Sequence, residues 1–168
     1  MKEDGLTLIE LLVTMAIITI LASVAMPLSK VSTKRTQEIE LRQQLRTIRG
    51  AIDLFKMEWN RDGDVLLGAV CVKNRLTCKE VTGPYGYPKS LDVLLGVKLT
   101  GEEATVRGTA IRRYLRVMPI DPMTGKSDWA LRCYKDPPKP SSWCGEDLYD
   151  VMTQNGESAL DGTKYQDW

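Results

Sequence analysis

Gly5-Leu6-Thr7-Leu8-Ile9-Glu10 opens an apolar stretch that organises the whole chain. Glu10 is the only charged residue in positions 6–28, and Pro27 lies near the end of this range. A helix over these residues would extend roughly 34 Å, enough to cross a hydrocarbon core of about 30 Å. The sequence therefore predicts a membrane-spanning helix with a carboxylate near its start, where a charge is costly and is usually kept for a function.

The stretch resembles the class III signal of type IV pilins and type II secretion pseudopilins, in which a prepilin peptidase cuts after a glycine. The resemblance implies that residues 1–5 form a leader, that Gly5 precedes the cut, and that Leu6 becomes the N-methylated N-terminus. Pro27 corresponds to the helix-kinking proline of the family. A proline lacks the N–H of a helical hydrogen bond, so we expect a kink or a locally melted turn just upstream of it.

The resemblance also implies a role for Glu10, which in the family is thought to pair with the N-terminal amine of a neighbouring subunit. A buried carboxylate needs a partner charge to offset its desolvation. That amine exists only after the leader is removed, so processing would create the assembly contact. The implied partners are further copies of the chain in a helical filament, the prepilin peptidase, minor pseudopilins and the inner-membrane assembly platform.

Two features depart from the family pattern. Leu6 stands where the family usually has phenylalanine, so the methylated residue would be a leucine. The leader carries one base and two acids instead of a basic charge, while Lys30, Lys34 and Arg35 follow the apolar stretch. The positive-inside rule alone would favour the opposite topology. The resemblance implies a cytoplasmic N-terminus, a single pass through the inner membrane, and a periplasmic head.

Residues 29–60 predict the amphipathic half of the same helix. Six apolar residues recur at alternating spacings of four and three, and thus share one helical face: Leu41, Leu45, Ile48, Ile52, Phe55 and Trp59. We expect this stripe to pack against the sheet of the head, with a free coiled coil as the alternative. The turn signal Asn60–Gly63 predicts the end of the helix. The predicted fold is therefore α+β, type IV pilin-like: a long N-terminal helix with a transmembrane half (6–28) and an amphipathic half (29–60), packed on a small antiparallel sheet in a head formed by residues 61–168.

Composition argues against most catalytic functions. The chain contains no histidine, the commonest general base and metal ligand, and no GxSxG, P-loop or GxGxxG motif. Its net charge of +1 does not indicate the basic surface that is typical of nucleic-acid-binding proteins. We therefore expect a structural protein, not an enzyme. A membrane-anchored periplasmic enzyme or binding module is the alternative from another class.

Four cysteines lie beyond the membrane segment: Cys71, Cys78, Cys133 and Cys144. An even number in an exported head favours disulfides. Of the three pairings that four cysteines allow, we predict the nearest-neighbour one, Cys71 with Cys78 and Cys133 with Cys144. A zinc site is the alternative, although neither pair has the two-to-four-residue spacing usual for such sites.

Several segments of the head carry turn and strand signals. Ser90 and Gly96 flank a predicted short helix, and the segment Tyr87-Pro-Lys-Ser-Leu91 resembles a helix of the G-type major pseudopilins. A similar Tyr-Leu…Pro-x-Asp-Pro segment of that family corresponds to residues 114–122, where Asp121 is expected in an Asx turn. Strands are predicted at residues 128–134 and 147–152.

The C-terminal residues 154–168 are polar and turn-rich, but Tyr165 and Trp168 argue against a loose terminus. Major pseudopilins bind calcium in the loop after the last strand, through carboxylates and carbonyls. The resemblance implies Asp161 and Asp167 as ligands, with Ser158 behind them, although the family's loop spacing is not reproduced. A calcium site would favour a major pseudopilin of a type II secretion system. A type IV pilus pilin for adhesion, motility or DNA uptake is the alternative, and two disulfides would suit it.

Overall fold

The computed structural model describes residues 7–101, 104, 108, 110–138, 140 and 142–168, and for residues 24–27 it describes the backbone alone. The predicted processing residues Gly5 and Leu6 lie outside the described residues. Within them, a long N-terminal helix is followed by a small head of short helices and antiparallel strands. The predicted α+β, pilin-like fold class is confirmed.

Helix α1 runs over Leu8–Trp59, a length of 52 residues, and Asn60 occupies its C-cap. It thus ends at the predicted turn signal. The helix continues through Pro27. Of the two outcomes expected just upstream of this proline, the locally melted turn does not form, and the kink stays a prediction. Gly50 also leaves the helix intact, and a Cβ added there would meet no atom within 4 Å beyond the local helix backbone and its two chain neighbours.

The amphipathic half of α1 forms one wall of the core. All six residues of the predicted apolar stripe are at most 1% exposed, which confirms the periodicity argument. Burial of such a side chain stabilises a fold by about 1.5–3 kcal/mol. This part of α1 packs against a short helix (Ala69–Lys73) and a strand (Asp150–Met152) of the head. These contacts hold the head on the second half of α1.

The head consists of short elements joined by turns. Its helices are α2 (Ala69–Lys73), α3 (Arg75–Val81) and α4 (Leu91–Leu95), with a 3-10 turn at Tyr165–Asp167. Its strands are β1 (Arg61–Asp62), β2 (Val65–Leu66), β3 (Val97–Lys98), β4 (Ile111–Arg112), β5 (Ala130–Arg132) and β6 (Asp150–Met152). They pair as β1–β2, β3–β4 and β5–β6, all antiparallel. In place of the one predicted sheet, the described residues form three separate two-stranded ladders.

Strands β5 and β6 lie inside the predicted segments 128–134 and 147–152 but are shorter. Side-chain carboxylates end β5, because the N–H of Cys133 donates to Asp136 and that of Tyr134 donates to Asp147. These two backbone groups are therefore not available to a partner strand. Leu131 lies opposite Val151 in the remaining ladder, and Val151 is fully buried against the core.

Two disulfides connect the short elements. Cys71 in α2 pairs with Cys78 in α3, and Cys133 after β5 pairs with Cys144, which closes the proline-rich loop between them. This is the nearest-neighbour pairing, and the four sulfurs are then no longer thiolates that could bind zinc. Ser90 occupies the N-cap position of α4 as expected, but its side chain makes no capping hydrogen bond.

Candidate functional site

The N-terminal half of α1 is the first candidate functional surface. Its large apolar side chains from Leu8 to Leu21 are all more than half exposed. The helix contains a window that is long and apolar enough to cross a membrane, and none of that window is buried in the molecule. Such a surface can be covered by lipid or by other apolar helices, and the head does not supply either.

Thr7 fixes the start of this helix. Its hydroxyl oxygen accepts a hydrogen bond from the N–H of Glu10 at 3.3 Å, and Thr7 is the N-cap residue. Thr7-x-x-Glu10 thus has the pattern of a capping box, a local signal from which the first residue of the helix could have been predicted. Glu10 is exposed in the first helical turn, where a negative charge interacts favourably with the helix dipole.

Asp121 forms the predicted Asx turn. Its Oδ1 accepts the N–H of Met123 at 2.8 Å, and its Oδ2 accepts the hydroxyl of Thr153 at 2.5 Å. The carboxylate is fully buried. The turn is therefore a structural link between the Pro119–Pro122 segment and the end of β6, and both oxygens of Asp121 are used in that link.

A polar cluster closes the C-terminal end of α1. Glu58 binds the Arg112 guanidinium through both of its oxygens, at 2.5 and 3.0 Å, and accepts the Tyr114 hydroxyl at 2.6 Å. The same hydroxyl accepts the indole N–H of Trp59 at 2.6 Å. Burial raises the pKa of Tyr114 well above its usual value, and the hydrogen bond to Glu58 raises it further. The cluster joins β4 and the 114–122 segment to the helix.

The C-terminal segment lies against α1, as its aromatic residues suggested. Tyr165 is fully buried and its hydroxyl donates to Glu38 at 2.9 Å. Burial, and then the hydrogen bond to Glu38, raises the pKa of Tyr165 to about 12. Glu38 also accepts the N–H of Leu160 at 2.8 Å. Residues 158–168 are thus an ordered part of the head.

Two of the three predicted calcium ligands, Asp161 and Ser158, bind other groups of the chain. Asp161 accepts the N–H and hydroxyl of Thr163 at 2.9 and 2.6 Å, and its other oxygen is paired with Arg42 at 3.3 Å. The hydrogen bonds from Thr163 hold the pKa of Asp161 below its usual value, and the positive charge of Arg42 adds a smaller effect in the same direction. The carbonyl oxygen of Ser158 accepts the ammonium of Lys34 at 2.7 Å.

Asp167 lies in the 3-10 turn, where it lines a cavity together with Thr153 and Gln154. Calcium requires six to eight oxygen ligands. The oxygens of Asp161 and Ser158 are instead bound to hydrogen-bond donors, and two of those donors are positively charged. As the structure describes them, Asp161 and Ser158 therefore do not fit a calcium ion. Among the described residues, the one close cluster of three candidate metal-ligating side chains, Cys133, Cys144 and Asp147, contains a disulfide.

Sequence reasoning missed the polar residues of α1 that hold the C-terminal segment, namely Lys34, Glu38, Arg42 and Arg49. Lys34 and Glu38 precede the stripe, and Arg42 and Arg49 lie between its positions, on a helix that carries many charges. Nothing in the local pattern therefore distinguishes them. Their partners are more than a hundred residues away along the chain.

A family model described as the prokaryotic N-terminal methylation motif matches residues 1–26. No curated protein and no solved structure matches the chain significantly. The motif indicates a type IV prepilin-like substrate, which prepilin peptidase processes and which assembles into a pilus-like filament. Together with the uncovered apolar helix it indicates membrane anchoring and a structural protein. The motif is common to pilins and pseudopilins.

Proposed function

We propose that this protein is a major pseudopilin, the structural subunit of the periplasmic pseudopilus of a type II secretion system. Residues 1–5 are the leader, residues 6–28 span the inner membrane with the N-terminus in the cytoplasm, and residues 29–60 carry the periplasmic head of residues 61–168. Prepilin peptidase removes the leader after Gly5. The mature subunits assemble with minor pseudopilins on the inner-membrane platform.

The contrast between the two halves of α1 carries this proposal. The first half exposes its large apolar side chains from Leu8 to Leu21 all round, whereas the second half buries one stripe in the head and exposes polar groups elsewhere. A subunit of this kind can rest in a membrane and later exchange lipid for the apolar helices of its neighbours. Glu10 lies at the end of that apolar surface, where the amine of a neighbouring chain can reach it.

Two parts of the head support a pseudopilin in particular. The segment Tyr87–Leu91 leads directly into α4, at the place where the resemblance expects a short helix. The Pro119–Pro122 segment is fixed by the buried carboxylate of Asp121, in the turn for which the resemblance gives an Asp-Pro pair.

A type IV pilus pilin is the second candidate. Two observations favour it: the head contains two disulfides, which suit a filament exposed outside the cell, and Asp161 and Ser158 of the C-terminal loop do not fit the calcium site of major pseudopilins. Both candidates share the leader, the anchor and the assembly contact.

The experiment compares Gly5→Val, Glu10→Gln and a matched control, Glu40→Gln, in cells that lack the native gene. Glu40 is also an exposed glutamate of α1, but it lies in the amphipathic half. Mass spectrometry reports leader removal and methylation of Leu6, and cross-linking followed by shearing reports filaments. We expect Gly5→Val to stay unprocessed, Glu10→Gln to be processed but not assembled, and Glu40→Gln to behave like the native chain.

Export of folded proteins into the medium distinguishes the two filaments. A pseudopilin predicts that the gene deletion and Glu10→Gln both abolish this export, while surface pili persist. Loss of surface pili with normal export would establish the pilin instead. Normal filaments in Glu10→Gln would overturn the proposed assembly contact for both candidates.

A further inference from the structure

The C-terminal segment packs on α1 through side chains of the helix. It turns back on itself, with an antiparallel bridge between Ser158 and Lys164, and hydrogen bonds join it to the helix. Lys34 donates to the Ser158 carbonyl at 2.7 Å, and Glu38 accepts the N–H of Leu160 at 2.8 Å. Further along the helix, Arg42 donates to the Asp161 carboxylate at 3.3 Å. Arg49 donates to the Trp168 carbonyl at 2.6 Å. Residues 34, 38 and 42 are spaced by four and therefore lie on one side of the helix. One row of helix side chains thus fastens the whole segment.

Arg42 is the centre of this row because it makes two different contacts. Its guanidinium pairs with Asp161 and also lies 3.9 Å from the centre of the Trp168 ring. The indole N–H of Trp168 donates to the Thr163 hydroxyl at 2.7 Å, and that hydroxyl donates to Asp161 at 2.6 Å. Arg42, Asp161, Thr163 and Trp168 therefore form a closed ring of contacts. A planar guanidinium can stack and pair at once, whereas a lysine ammonium cannot do both.

We propose that the cationic side chains of Lys34, Arg42 and Arg49 fasten the C-terminal loop in place of a metal ion. The Arg42 guanidinium binds one carboxylate oxygen of Asp161, and the Lys34 ammonium binds the carbonyl oxygen of Ser158; a divalent cation would need both oxygens. A calcium ion entering there would have to displace both charges and would be repelled by them. The fold of residues 158–168 is consequently independent of calcium. This inference holds whether the filament is a pilus or a pseudopilus, so its failure would leave the assembly function untouched.

The test needs a local measurement. The Arg42 and Asp161 side chains are each 51% exposed, so their ion pair alone contributes little to global stability. Lys164 is exposed and lies between Asp161 and Trp168. Endoproteinase Lys-C, which does not need calcium, cuts after this lysine and releases residues 165–168. Because Tyr165 is buried, cleavage requires the segment to open first, and the rate of release reports the opening.

The experiment uses the full-length chain in detergent micelles, with millimolar calcium, magnesium or EGTA. Variants are Arg42→Ala, Arg42→Lys, Asp161→Asn and a matched control, Arg46→Ala. Arg46 is exposed one turn further along α1 and makes no ion pair or hydrogen bond among the described residues. We expect the native chain to release the peptide at the same rate in all three buffers. Release should be several-fold faster in Arg42→Ala and Asp161→Asn, intermediate in Arg42→Lys, and unchanged in Arg46→Ala.

Two results would overturn the proposal. One is slower release of the peptide in calcium than in magnesium or EGTA for the native chain, with the difference lost in Asp161→Asn, because it would establish a metal site. The other is equal release by Arg42→Ala and Arg46→Ala, because the guanidinium would then not hold the segment.

Discussion

Replacing Tyr114 with phenylalanine tests the polar cluster at the C-terminal end of α1. The hydroxyl accepts the indole N–H of Trp59 and donates to Glu58, both at 2.6 Å. Trp59 is fully buried, so the variant leaves an N–H in the core without an acceptor. An orphaned buried donor costs about 1–3 kcal/mol. For a chain of this size each kcal/mol corresponds to roughly 2–4 °C, so we expect Tm to fall by roughly 2–12 °C.

Near-UV circular dichroism of the full chain in micelles measures this Tm, and Tyr149→Phe is the matched control. The Tyr149 side chain is 38% exposed, and its hydroxyl makes no hydrogen bond in the described part of the chain, so its loss should change stability by less than about 0.5 kcal/mol. The double variant with Glu58→Gln should cost less than the sum of the two single changes, because they share one network. Equal Tm values for Tyr114→Phe and Tyr149→Phe would refute the reasoning.

Three further outcomes follow from buried groups. Phe55→Ala should lower the free energy of unfolding in urea by about 3–5 kcal/mol, because it opens a cavity in the core; Leu54→Ala, at a neighbouring position that is 37% exposed, should cost less than half as much. Asp121→Ala should lower the free energy of unfolding by about 1–3 kcal/mol. It should also speed exchange of the Met123 amide, whose N–H the native Asp121 carboxylate accepts; unchanged exchange at Met123 would contradict this link. Stability should be insensitive to Tyr165 below pH 10 and fall between pH 10 and about 12, because the unfolded chain ionises this tyrosine at its ordinary pKa of 10.0 while the folded chain keeps it protonated. Tyr165→Phe should flatten that fall in an alkaline titration, and an equally steep fall would count against the assignment.

The long helix was predictable because its signals are local. The spacing of Leu41, Leu45, Ile48 and the rest of the stripe follows the helical period, and the core confirms each position. Tyr165 and Trp168 likewise indicated an ordered C-terminal segment, and Asp121 its Asx turn. In each case a side chain's chemistry and its near neighbours in sequence were sufficient.

The remaining features depend on partners that are distant in sequence. A loop carboxylate such as Asp161 has the same local pattern whether calcium or a guanidinium binds it, and Arg42 lies 119 residues away. The single sheet was predicted from strand-like segments, yet Asp136 and Asp147 end β5 by taking its N–H groups. Ladder length was therefore decided by acceptors outside the strands.

The contacts between residues 34–49 and residues 158–168 also set the order of folding. The hydrogen bond between Tyr165 and Glu38 joins residues 127 positions apart, and that between Lys34 and Ser158 joins residues 124 positions apart. Such distant contacts form slowly, whereas a helix forms within microseconds. During synthesis α1 is complete long before β6 and residues 158–168 exist, so part of its apolar stripe is still uncovered. The nascent chain therefore passes through an interval in which the membrane surface or a chaperone has to shield the stripe from aggregation.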